Sequence, residues 1–167
     1  YDLGKTLANT NAAMLAKTSS ETNYNFTHLG GVFRFIIKNA PVGADKFTLS
    51  LGGKKINGEF SVALNAEELV IETAEGSDEN NTTTLNFNAL ESIQDMTLFV
   101  PVPVGEYTGI TAKLYKGDEE IGSWGSATAE NNVSRKSLKL MAPITYSNVS
   151  GDIQNEIQVA SLDQLKS

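Results

Sequence analysis

Residues 31–38 run Gly-Val-Phe-Arg-Phe-Ile-Ile-Lys, so an extended chain puts Phe33, Phe35 and Ile37 on one side and Arg34 and Lys38 on the other. A period of two is the mark of a half-buried strand, and an α-helix would scatter those three side chains around its axis. The same alternation returns at Phe47, Leu49 and Leu51, at Ile56, Gly58, Phe60 and Val62, and at Ile110, Ala112 and Leu114. Residues 82–87 and 96–100 are β-branched and aromatic runs bounded by Asn and Asp, and residues 136–141 supply a further strand before Pro143. Turn chemistry separates these runs, as in Asn39-Ala40-Pro41-Val42-Gly43 and Gly52-Gly53. Lys116-Gly117-Asp118-Glu119 predicts a hairpin leading back into Ile121-Gly122-Ser123-Trp124. The pattern predicts an all-β fold, an antiparallel β-sandwich or barrel. A helical alternative exists only at Glu67-Glu68-Leu69-Val70, equally able to be strand, and at residues 161–166, where Ser161 and Gln164 suit an N-cap and capping box.

A chain of 167 residues builds one hydrophobic core without a staple. Residues 4–24 are small and polar apart from Met14-Leu15, and 147–160 read as a connection. The expected organisation is therefore an N-terminal connecting segment over 1–23, one sandwich domain over 24–146, and a linker over 147–167 into a further domain. No stretch approaches the roughly 20 apolar residues that span a bilayer as a helix, and the first residues carry no apolar signal-peptide region.

Composition removes most chemistry. Asp plus Glu number 20 against 13 Lys plus Arg, and a net charge of −7 argues against nucleic acid as a partner. With no Cys there is no thiol nucleophile, disulfide frame or thiolate metal site, and a single His rules out multi-histidine metal sites. Residues 59–120 hold 13 acids and two lysines, which reads as a solvated acidic face or, more sharply, as one half of a head-to-tail attraction between copies.

The remaining candidates favour packing over catalysis. His28 has no GxSxG nucleophile elbow to serve, and Gly122-Ser123-Trp124-Gly125-Ser126 sits in a hairpin with no following helix. No carboxylate interrupts an apolar face in the way a raised-pKa acid would, since Glu59 and Glu106 fall on polar sides of their strands. The loop 75–81 is rich in oxygen donors but lacks the DxDxDG spacing of a calcium loop. The reading is of no catalytic, cofactor-binding or metal-binding residue. Tyr107, Tyr115 and Trp124 are the aromatics available either for a sugar-stacking platform, with Tyr115 and Trp124 facing each other across the hairpin, or for packing. Pro101 and Pro103 cannot donate in a central ladder and mark a sheet edge or strand exit, while Gly30-Gly31 permits a kink or bulge where the first long strand begins.

Five segments in order give a resemblance. Met14-Leu15-Ala16 is similar to a Met-x-Ala element, and Phe26-Thr27-His28-Leu29-Gly30-Gly31-Val32-Phe33-Arg34-Phe35 to an F-x-H-L-G-G opening followed by Lys38-Asn39-Ala40-Pro41. Ile56-Asn57-Gly58-Glu59-Phe60 is similar to an I-x-G-x-F strand, and Phe99-Val100-Pro101-Val102-Pro103-Val104-Gly105-Glu106-Tyr107 to a run that opens on Phe and closes on P-x-P-x-G-x-Y. Residues 135–140 with Met141 and Ile144 are similar to a closing R-x-x-L-x-x-M-x-x-I. Together they resemble the Bacteroides-type fimbrillin family of pilins and surface adhesins. The resemblance implies a transthyretin-like or immunoglobulin-like Greek-key sandwich on the cell surface, fimbrial or anchored to the outer membrane. It implies a non-catalytic role in adhesion or fimbrial assembly. The partners would be other surface or pilus subunits, or a surface protein or glycan, and membrane attachment would come only from a lipid anchor outside this chain. The sequence departs from the family in carrying no lipobox Cys and no assignable maturation site. A carbohydrate-binding accessory module of a larger surface glycan-processing protein is the alternative.

Overall fold

The computed structural model describes residues 14–20, 23–63, 70–72 and 74–147. Among these there are twelve strands: β1 (Met14–Ser20), β2 (Asn23–His28), β3 (Gly30–Ala40), β4 (Lys46–Gly52), β5 (Ser61–Ala63), β6 (Val70–Glu72), β7 (Thr82–Asn86), β8 (Gln94–Pro103), β9 (Gly105–Lys116), β10 (Glu119–Val133), β11 (Leu138–Leu140) and β12 (Ile144–Thr145). No helix occurs among the described residues. The all-β expectation holds.

Two sheets face each other. One has the order β10-β9-β4-β7, antiparallel throughout; in the other, β3 lies between β8 and the pair β11 and β12. Period-2 burial turns one side of each sheet inward, as the sequence predicts: Phe33, Phe35 and Ile37 from β3 and Leu98, Val100 and Val102 from β8 meet Phe47, Leu49 and Leu51 from β4 and Ile110, Ala112 and Leu114 from β9. The Phe35 and Phe47 rings, 5.1 Å apart and tilted by 54°, join the two sheets at the centre.

The sandwich is antiparallel as expected apart from the short β11 and β12, which both run parallel to β3; three other expectations are corrected. Along β3 from Arg34 to Lys38 these partners advance from Leu140 to Thr145, one residue more, and Pro143, which has no N–H to donate, lies in that gap. Residues 14–20, placed in a connecting segment, form β1 and pair with β2. Ile56, Gly58, Phe60 and Val62 do not make one strand, since Gly58 adopts φ +97 and only Ser61–Ala63 is extended and paired. Gly30-Gly31 carries no bulge: β3 pairs with β8 in unbroken register from Gly30 opposite Pro103 to Ile37 opposite Met96. These glycines instead allow close approach, because a Cβ on Gly30 would collide with the Val102 carbonyl and one on Gly31 with the Ser137 hydroxyl. The stretch 67–69, the turn at 161–166 and residues 148–160 of the expected linker lie outside the described residues.

Candidate strand-docking edge and apolar cleft

Backbone hydrogen bonds fix which way each residue of β3 faces. Val32 N–H donates to the Ser137 carbonyl at 2.9 Å, Lys136 N–H donates to the Gly30 carbonyl, and Met141 N–H donates to the Arg34 carbonyl. Residues 30, 32 and 34 thus spend their backbone groups on the β11 side. Residues 31, 33 and 35 must then face β8, pairing Gly31 with Val102, Phe33 with Val100 and Phe35 with Leu98. The alternate residues of β8, which are Thr97, Phe99, Pro101 and Pro103, direct their backbone groups to its other edge. No other described strand pairs there.

The two prolines therefore sit where an N–H would point away from the sheet. They cost β3 no bond, and they strip two donors from the edge. Thr97 and Phe99 keep both a donor and an acceptor. The Pro103 carbonyl already accepts from the Tyr107 hydroxyl at 2.9 Å.

A cleft of about 1020 Å³ runs along this strand. It is lined from β8 by Phe99, Pro101 and Pro103 on the outward side and by Val102 on the inward side, so it passes over the open edge. Leu85 of β7, at the rim of the facing sheet, and Ile56, Phe60, Val62 and Ile71 close the far wall. Phe26, 62% exposed, and Leu138, 47% exposed, stand at the cleft with Lys136. Among the described residues no carboxylate lines it. Backbone edge and apolar trough side by side are what an added strand uses: the main chain supplies bonds and alternate side chains fill the trough.

The aromatic candidates are not brought together. Tyr107 and Trp124 are 1% and 2% exposed and belong to the core, which removes both from any sugar-stacking surface. Trp124 pairs with Ala112 and Tyr115 with Glu120, and the two aromatics lie on opposite faces of their sheet. The expectation that they face each other across the hairpin fails because a register shift between Glu120 and Gly122 moves Trp124 to the inner face. Gly122 makes room beneath the indole, since a Cβ there would strike the ring. Tyr115 remains half-buried outside, with the Lys46 ammonium 4.8 Å from its ring centroid. Burial pushes the Tyr107 phenol up to about 12.

His28 lines the cleft, half-buried on β2 opposite Met14. Ser123 and Ser126 stay within β10, and Glu59 and Glu106 are exposed. Among the described residues no group of three or more His, Asp or Glu side chains is placed to hold a metal ion. Loop 75–81 is folded back on itself, with the Asn80 and Asn81 N–H groups both donating to the Ser77 carbonyl. Asp118 and Glu120 lie at the tip of the β9–β10 hairpin beside Lys46 and Lys113, while the Glu75 backbone pairs with that of Lys54 past the opposite end of β4. Ion pairs of 3.2 and 2.9 Å answer two of them.

Comparison with protein-family models, with characterised proteins and with solved structures returns no match.

Proposed function

We propose that this chain is a non-catalytic cell-surface domain of the fimbrillin-like kind, a pilus component or adhesin that assembles by accepting an extended segment along the outer edge of β8. The observation that carries the reading is the coincidence of a strand edge that no other described strand pairs, with donors and acceptors at Thr97 and Phe99, and an apolar cleft passing over it. The ordered resemblance over residues 14–144 supports it, and so does the packing of two β-sheets around one apolar core. Surface exposure, outer-membrane anchoring through a lipid outside this chain, and partners among other surface subunits belong to the same proposal. The carbohydrate-binding alternative loses its support where Trp124 and Tyr107 lie in the core.

The test is a gel of sheared cell-surface material, unboiled and boiled, probed with an antibody to this domain. A ladder that collapses only on boiling supports strand-exchanged polymer. A single band unaffected by boiling overturns assembly.

A further inference from the structure

An open edge that accepts one strand also invites the same edge of another copy, because unpaired N–H and C=O groups are a general template for pairing. The β8 edge meets this hazard with its parity. Consider two copies approaching β8 to β8, antiparallel, over residues 97–103. The longest register opposes Thr97 with Pro103 and Phe99 with Pro101. Every bonded pair in it then lacks one of its two hydrogen bonds, because no proline carries an N–H. Tyr107 adds to this by occupying the Pro103 carbonyl. The register centred on Phe99 keeps both bonds only where Phe99 opposes itself and loses one from each pairing of Thr97 with Pro101. The register centred on Leu98 keeps its bonds between Thr97 and Phe99 but leaves unused the rest of the edge and the apolar cleft, which an incoming segment would fill.

We infer that Pro101 and Pro103 are the specificity-determining residues of this edge, barring copy-to-copy pairing along β8 while leaving Thr97 and Phe99 as complete pairing sites for a short incoming strand. The inference rests on reading β8 as the accepting edge. It concerns which partner the edge refuses, so it is tested apart from whether a pilus forms. The prolines serve no ladder bond to β3, so replacing them restores two outward donors without disturbing the sheet.

The experiment compares the 167-residue chain with Pro101→Val/Pro103→Val and with Pro101→Ala/Pro103→Ala by sedimentation equilibrium and by amide hydrogen exchange. Thermal melts show that each variant is folded, and the alanine pair restores the donors with less change in side-chain shape. The parent is expected to be monomeric, with fast exchange at Thr97 and Phe99 beside slow exchange at Leu98, Val100 and Val102. The valine pair is expected to dimerise on the order of six-hundredfold more tightly, at roughly fivefold for each of the four bonds that two copies regain, with slow exchange spreading to residues 97, 99, 101 and 103. Three results overturn the inference: both folded variants remaining monomeric, a variant dimer whose Thr97 and Phe99 amides still exchange fast, or slow exchange at those two amides in the monomeric parent. A parent that shows this pattern yet never forms surface polymer removes the pilus reading and leaves the proline pair standing.

Discussion

The Tyr107 hydroxyl donates to the Pro103 carbonyl at 2.9 Å, tying the first turn of β9 to the last residue of β8 where the chain crosses from one sheet to the other. The bond closes over four residues and resembles the tyrosine corner of other β-sandwiches, in which a buried phenol pins a crossing. It also consumes part of the only polar group Pro103 offers to the open edge.

Removing that bond with Tyr107→Phe leaves the Pro103 carbonyl unpartnered at little change in shape. The expected cost is about 1 kcal/mol, a drop of a few degrees in Tm, measured by urea and thermal unfolding at pH 7.

The same residue sets an alkaline limit. Burial holds the phenol protonated up to about 12, against 10.0 in an unfolded chain. Below pH 10 both states keep the proton and the contribution of Tyr107 is complete. Between pH 10 and 12 the unfolded chain ionises first, so stability falls by about 3 kcal/mol as pH rises through that window. Urea midpoints at pH 9 and pH 11.5 should therefore diverge more in the parent than in Tyr107→Phe.

Trp124 reads out packing. Trp124→Ala should destabilise the fold by about 3–5 kcal/mol, with no accompanying loss of a surface function. In the parent, indole fluorescence should be blue-shifted and insensitive to iodide; a red-shifted, quenchable spectrum would place the ring at the surface.

Gly30→Ala tests close approach at the start of β3. The added methyl meets the Val102 backbone, which cannot swing aside as a side chain would, so a loss of about 1–3 kcal/mol is expected by chemical denaturation.

The Lys113–Glu120 pair, 2.9 Å long, should matter little. The hydrogen bond to Glu120 raises the Lys113 pKa, yet both side chains are more than a third exposed and water screens the pair. A double-mutant cycle with Lys113→Ala and Glu120→Ala is expected to give a coupling of about 0.5 kcal/mol or less.

Much of this architecture is legible in residue order, and the reasons are local. Phe33, Phe35 and Ile37 declare an inward face because side-chain direction in a strand depends only on parity, and the Gly117-Asp118 turn follows from φ +60 at a glycine. Pro101 and Pro103 announce an edge because neither can donate. What residue order leaves out depends on other strands. The inward turn of Trp124 comes from a register shift after Glu120, set by pairing with β9. The parallel lie of β11 and β12 on β3 depends on a return across the sandwich that no turn motif signals. Thr97 and Phe99 are missed as edge residues for the same reason: their parity emerges only once the Ser137 and Met141 bonds to β3 are known. The cleft gathers Phe26, Val62, Leu85 and Phe99 from four separate strands, a juxtaposition without a sequence signature.

Under the function proposed above, a strand adds to the outer edge of β8. The most direct measurement is amide hydrogen exchange at Thr97 and Phe99 in this chain as isolated monomer and in assembled material sheared from the cell surface. The account predicts fast exchange at both amides in the monomer and slow exchange in the assembly, with Leu98, Val100 and Val102 slow throughout. Equal, fast exchange at Thr97 and Phe99 in both states would contradict it and place the contact between subunits elsewhere.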